Sequence, residues 1–135
     1  MKLVEVVKGK HTSDDCVDKL MQFCKQLGKT PVSCIDAPGF IVNRVARHFY
    51  LESLHLVEQG IAEPEQVDAA MEAAGFKMGP FKLMDMIGID INATVSASLY
   101  EAFNKAIRFT PSKLQLQKLE EGDLGKKTGK GFYQY

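Results

Sequence analysis

The stretch from Asp36 to Gly60 constrains this chain most: Asp-Ala-Pro-Gly-Phe-Ile-Val-Asn-Arg, then a run long enough for about five helical turns. Pro38 suits the first turn of a helix, where its missing N–H would be unpaired anyway, and Asp36 places negative charge at the positive end of the helix dipole. Apolar residues fill most of the circumference (Phe40, Ile41, Val42, Val45, Ala46, Phe49, Leu51, Leu54, Leu56, Val57). A helix apolar nearly all round is a buried one, so the pattern predicts a central helix. Asn43 shares a face with Phe40, Ala46, Tyr50 and Leu54, and an amide in such a row needs hydrogen-bond partners.

Composition supports one core of ordinary size. Of 135 residues, 45% are hydrophobic and 25% charged, a globular profile and not a disordered one. Seventeen basic residues balance seventeen acidic ones, which argues against whole-surface attraction to nucleic acid or to an anionic membrane. The three cysteines, Cys16, Cys24 and Cys34, are odd in number and lack Cys-x-x-Cys spacing, so no disulfide framework or zinc site is expected and a reducing compartment fits. No charged-then-apolar leader opens the sequence, and no apolar run approaches the roughly 18 residues of a membrane span.

Residues 3–7, Leu-Val-Glu-Val-Val, read as a short strand ended by Gly9. Thr12, Ser13 and Asp14 offer N-caps for a helix with apolar positions Val17, Leu20, Met21, Cys24 and Leu27, and Gly28 lies beyond its last turn. Pro31–Ile35 reads as a second strand, completing a β-α-β unit with parallel strands. After Ala37 only helical signals follow. One helix opens at Pro64 with Val67, Ala70, Met71 and Ala74 inward. A turn at Met78-Gly-Pro-Phe81 starts another, with Leu83, Met84 and Ile87 inward. A third runs from Asp90 to about Phe103, and Pro111-Ser112 caps a last one through Leu114, Leu116 and Leu119. The shift divides the chain into a β-α-β piece, 1–36, and an all-helical domain, 37–135. Two parallel strands alone are marginal, and their open edges invite pairing.

Several residues could carry chemistry. Glu5, between Val4 and Val6, points to the face opposite theirs, either as a solvated edge carboxylate or as a partner for a histidine or a cation. Asn43 is open in the same way between a satisfied core amide and a site residue. Glu52-x-x-His55 has di-iron spacing, but no second Glu-x-x-His accompanies it, so no metal is expected. Gly125-Lys-Lys-Thr-Gly-Lys-Gly131 fails the phosphate-loop spacing and precedes Phe-Tyr, not a helix. A turn returning Phe132, Tyr133 and Tyr135 to the core accounts for it, although Lys118, Lys126, Lys127 and Lys130 could meet an anion. The methionines, Met71, Met78, Met84 and Met86, read as adaptable core filling or a pocket lining. No Gly-x-Gly-x-x-Gly occurs.

Six stretches in order resemble the C-terminal part of the 3-hydroxyacyl-CoA dehydrogenase family. They are Met1-Lys-Leu-Val-Glu-Val6, Leu27-Gly-Lys-Thr-Pro31, Asp36-Ala-Pro-Gly-Phe-Ile-Val-Asn-Arg44, Met78-Gly-Pro-Phe81, Asp85-Met-Ile-Gly-Ile-Asp90 and Gly125-Lys-Lys-Thr-Gly-Lys-Gly-Phe-Tyr133. The resemblance implies a mainly α fold: a helical C-terminal dimerisation domain of the 6-phosphogluconate-dehydrogenase-C-terminal-like type, preceded by a β-α-β remnant of a Rossmann-like NAD domain. It implies an oxidoreductase that passes hydride between 3-hydroxyacyl-CoA and NAD, acting as a homodimer in the cytoplasm or the mitochondrial matrix.

By motif, Glu5 occupies the place of the glutamate that orients the family's catalytic histidine, and Asn43 that of the asparagine that positions histidine and substrate. Met78, Gly79, Pro80 and Phe81 fall at the substrate cleft. The histidine and the dinucleotide glycines would lie before Met1, so the chain is expected to be a fragment, without turnover and without NAD binding by itself. The competing expectation is a non-catalytic stand-alone module for dimerisation or acyl-CoA binding.

Overall fold

A computed structural model describes residues 1–135. The chain divides into two compact units, Met1–Arg44 and Val45–Tyr135. The border lies beyond the composition shift at Ala37, because the turn after the second strand and the opening of the next helix belong with the first unit.

In the first unit, β1 (Leu3–Lys8) pairs in parallel with β2 (Thr30–Ile35), in a register that sets Leu3 opposite Thr30 and Glu5 opposite Val32. The crossover is α1 (Asp14–Gln26), whose N-cap Ser13 accepts from the Cys16 amide. Val6 and Val17 are the buried apolar residues of this unit. Leu20 and Leu27 of the expected apolar face are 46% and 58% exposed, so α1 buries a narrower stripe than its pattern predicts.

The long helix α2 runs Val42–Glu58. It does not begin at Pro38, as its composition predicts. Pro38–Ile41 form a turn in which Gly39 and Phe40 both adopt positive φ, 73° and 45°, and a helix cannot pass through such residues. Nor is α2 buried all round. Val42 and Val45 are 40% and 69% exposed, and burial starts only at Arg47, continuing through Tyr50, Leu51, Ser53 and Leu54.

The second unit adds α3 (Pro64–Ala73), α4 (Pro80–Ile87), α5 (Ile89–Ala102) and α6 (Lys113–Glu121), with short 3₁₀ turns at 107–109 and 126–128. Pro64 and Pro80 stand in the first turns of α3 and α4, and the Ser112 hydroxyl caps α6 by accepting from Gln115 N at 3.2 Å. Tyr50, Leu54, Val67, Phe81, Met84 and Ile89 form the core, with Leu114, Leu119, Phe132 and Tyr133 packed against it.

Polar residues take several inward places that apolar spacing assigns to others. Asp68 is buried where Ala70 and Ala74 are exposed; Asp85 is buried while Ile87 is 38% exposed; Gln115 is buried while Leu116 is 46% exposed. Both oxygens of Asp68 and of Asp85 accept hydrogen bonds, whereas Gln115 donates through Nε2 and leaves its buried Oε1 unpaired.

Candidate functional site

Alternation along β1 sends Glu5 away from the buried Val6, where the half-buried carboxylate meets the turn that opens α2. Its Oε1 accepts from the Ile41 amide at 2.8 Å and the Val42 amide at 3.1 Å. These are N–H groups that the first turn of a helix leaves unpaired, and the carboxylate sits at the positive end of the helix dipole. Glu5 therefore does what the sequence assigns to Asp36. Asp36 instead extends the sheet, its amide donating to the Lys8 carbonyl at 3.2 Å.

Asn43 follows directly on the amide that Glu5 holds. Contrary to the expectation of an amide in a buried row, it is exposed and its side chain makes no hydrogen bond within the chain. The row becomes buried only further along, at Tyr50 and Leu54. Glu5 and Asn43, 38 residues apart in sequence by difference of their numbers, are thus brought to neighbouring positions around one turn.

The Met78–Phe81 turn belongs to the second unit and is packed tightly. Pro80 and Phe81 are fully buried, while Met78 keeps partial exposure. Asp68 of α3 receives the opening of α4: Oδ1 accepts from Phe81 N at 2.8 Å and Oδ2 from Lys82 N at 3.0 Å. A Cβ on Gly79 would stand 2.3 Å from Asp68 Oδ1, so glycine is required there for close approach.

Asp85 of α4 does the same for the chain's last residues, accepting from Phe132 N at 3.0 Å, Tyr133 N at 2.9 Å and Tyr135 Oη at 3.1 Å. Tyr133 Oη donates to Asp68 Oδ2 at 2.7 Å. Desolvation and the Asp68 carboxylate push the Tyr133 phenol far up, and desolvation with the neighbouring Asp85 pushes Tyr135 up to about 12. The glycine-rich tail is therefore a clasp over two buried carboxylates. Phe132 and Tyr133 reach the core as expected; Tyr135 sends in only its hydroxyl and stays 55% exposed.

The tail's lysines are largely spoken for. Lys118 and Lys130 pair with Asp123 at 3.1 and 2.7 Å, and Lys127 pairs with Asp90. No group of three or more His, Cys, Asp or Glu converges as a metal-ligand set.

Sequence reasoning missed Arg47, a cation 2% exposed inside the second unit. One terminal nitrogen, Nη1, donates to the Asn92 carbonyl (2.7 Å), Asn92 Oδ1 (3.0 Å) and Ser96 Oγ (2.8 Å), and the guanidinium lies over the Tyr50 ring. Gln115 Nε2 donates to the same Asn92 Oδ1 at 2.9 Å. Burial, with no carboxylate to compensate it, holds the Arg47 pKa below its ordinary value, against a smaller opposing effect of Tyr50.

The comparisons agree with this architecture. Residues 39–135 match the family model described as "3-hydroxyacyl-CoA dehydrogenase, C-terminal domain", and residues 1–37 match "3-hydroxyacyl-CoA dehydrogenase, NAD binding domain". The whole chain is 47% identical to a 3-hydroxyadipyl-CoA dehydrogenase of Escherichia coli and 45% identical to the mitochondrial hydroxyacyl-coenzyme A dehydrogenase of Sus scrofa, spanning 29% and 43% of their lengths. A crystal structure of 3-hydroxybutyryl-CoA dehydrogenase from E. coli K12 superposes with a TM-score of 0.96 at 47% identity, over 99% of this chain and 29% of that one. The chain spans less than half the length of these relatives. On the match of both family models, the chain belongs to the 3-hydroxyacyl-CoA dehydrogenase family.

Proposed function

We propose that this chain is the substrate-cleft and dimerisation part of an oxidoreductase that transfers hydride between a 3-hydroxyacyl-CoA and NAD, and that it is inactive as an isolated polypeptide. The observation that carries the reading is the turn around Glu5, whose carboxylate holds the backbone amides of Ile41 and Val42, the two residues before Asn43, where the family's motifs fall. Glu5 Oε2 has no partner within the chain, so it is free to accept from the imidazole of the family's histidine. A carboxylate there fixes the ring's orientation and stabilises the imidazolium formed when the ring takes the proton of the 3-hydroxyl. Asn43, with a donor and an acceptor uncommitted, serves to orient substrate and imidazole.

In the complete enzyme, residues 1–36 finish the sheet of an NAD domain, and residues 37–135 form the helical domain of 6-phosphogluconate-dehydrogenase-C-terminal-like type. The β-α-β piece itself does not fit NAD. Where a pyrophosphate would meet the first turn of α1, Ser13 already caps the helix and Asp14 and Asp15 add negative charge. Met78–Phe81 contribute to the cleft through Met78, the member of the turn with exposed surface. Homodimerisation is carried over from the family resemblance as part of this proposal. No helix is long and apolar enough to cross a membrane, and the location proposed is the cytoplasm or the mitochondrial matrix.

The test compares the chain alone with the complete enzyme, following NADH oxidation with acetoacetyl-CoA and binding of NAD by calorimetry. Turnover only in the complete enzyme supports the reading. Micromolar NAD affinity in the isolated chain overturns its inactivity, and a complete enzyme without dehydrogenase activity overturns the function, favouring a non-catalytic module.

A further inference from the structure

Glu5 reaches α2 with one oxygen. Oε1 accepts both the Ile41 and Val42 amides, and Oε2 accepts nothing within the chain. The turn it holds does not persist cheaply by itself. Gly39 and Phe40 are both at positive φ, and for an aromatic residue that conformation is strained, because its Cβ crowds the following carbonyl. Asn43 comes immediately after, exposed and without a side-chain hydrogen bond of its own. No such bond fixes its position, so its backbone must, and that backbone is anchored from β1.

Resting on the catalytic reading of Glu5 and Asn43, we propose that Glu5 is also the positioning residue for Asn43: Oε1 anchors the turn that carries the amide, while Oε2 is left for the histidine. The two halves of the carboxylate then serve the two sides of one site. The division explains the residue type. Glutamine keeps a carbonyl acceptor for the two amides but gives up the charge that stabilises imidazolium. Aspartate keeps the charge but is one methylene shorter, and cannot span from the strand to the turn with the other oxygen still free.

The test has two arms. In the 135-residue chain, amide hydrogen exchange by NMR at Ile41 and Val42 is expected to be more than about tenfold faster in Glu5→Ala, the least that a hydrogen bond to a charged acceptor is worth, and near the parent rate in Glu5→Gln. In the complete enzyme, Asn43→Ala is expected to cost its full factor in kcat in a Glu5→Gln background and little in a Glu5→Ala background, where Asn43 is already misplaced. Unchanged exchange in Glu5→Ala overturns the anchoring whatever turnover does. An Asn43→Ala penalty as large in Glu5→Ala as in the parent also overturns the proposal. Failure of the catalytic reading shows differently: Asn43→Ala costs nothing in the parent enzyme while the exchange rates still respond to Glu5, and the positioning role then falls with it.

Discussion

Tyr133 Oη donates to Asp68 Oδ2 at 2.7 Å, tying the chain's last residues to a helix 65 positions earlier. Asp68 also holds the Phe81 and Lys82 amides, so one buried carboxylate joins α3, the start of α4 and the tail. Tyr133→Phe removes one donor and is expected to cost about 2 kcal/mol. Asp68→Asn costs more, about 3 kcal/mol, because the new NH₂ faces groups that are themselves donors. Urea denaturation of the chain measures both. A Tyr133→Phe variant within about 0.5 kcal/mol of the parent would remove the clasp from the stability argument.

Two glycines in the tail separate steric need from conformational need. A Cβ on Gly131 would lie 2.2 Å from Asp85 Oδ1, whereas one on Gly129 meets nothing within 4 Å and suffers only from a φ of 76°. Gly129→Ala is therefore expected to cost about 1 kcal/mol and Gly131→Ala about 3 kcal/mol, with loss of the Phe132 and Tyr133 contacts. Equal losses for the two in thermal or urea unfolding would contradict this assignment.

Elements were legible where capping chemistry and periodicity agree. The β-α-β unit, the proline-led starts of α3 and α4 and the Ser112 cap all follow from local residues. The inward faces were less legible, because periodicity counts apolar residues, and Arg47, Asp68, Asp85 and Gln115 are buried polar ones. Their partners, such as Asn92 for Arg47 and Tyr133 for Asp68, are distant in sequence and nothing local announces them. The site shows the same split. Glu5 and Asn43 could be named from motifs, but the amides joining them depend on a turn whose positive φ at Phe40 no propensity suggests.

Alkaline pH offers a reading of the clasp. The Tyr135 phenol is pushed from 10.0 up to about 12, by desolvation of its hydroxyl and by Asp85, and Tyr133 is raised further. Below pH 10 both folded and unfolded chains keep these protons, and the clasp contributes its full stability. As pH rises from about 10 toward 12 the unfolded chain releases them first, so stability falls through that window. Urea midpoints between about pH 9 and pH 12 should drop in the parent and drop less steeply in a Tyr133→Phe, Tyr135→Phe double variant. Parallel curves would show that other groups govern alkaline unfolding.

Arg47 is a buried cation bonded to neutral acceptors through Nη1 alone, its Nε unpaired, so removing the charge and removing its acceptors are unequal changes. Arg47→Met replaces it with an apolar chain of similar reach and is expected to cost under about 1.5 kcal/mol. Asn92→Leu takes away Oδ1 from both Arg47 and Gln115 while the charge stays buried, and is expected to cost about 3 kcal/mol or more. Chemical denaturation ranks the two, and the reverse order would mean that Arg47 contributes chiefly through packing on Tyr50.

Asn43 separates stability from function most cleanly. Its side chain is exposed and bonded to nothing in the chain, so Asn43→Ala should leave the unfolding free energy within about 0.5 kcal/mol of the parent. Alanine also suits a helical position better than asparagine, which offsets any small loss. In the complete enzyme the same change removes an amide that orients imidazole and substrate, and kcat is expected to fall by about a hundredfold or more, with the hydrogen bond between protein and reactants lost chiefly in the transition state. Steady-state kinetics with acetoacetyl-CoA, set beside urea denaturation of the same variant, reads both quantities. A stable variant with near-normal kcat would show that the turn around Glu5 serves only to start α2.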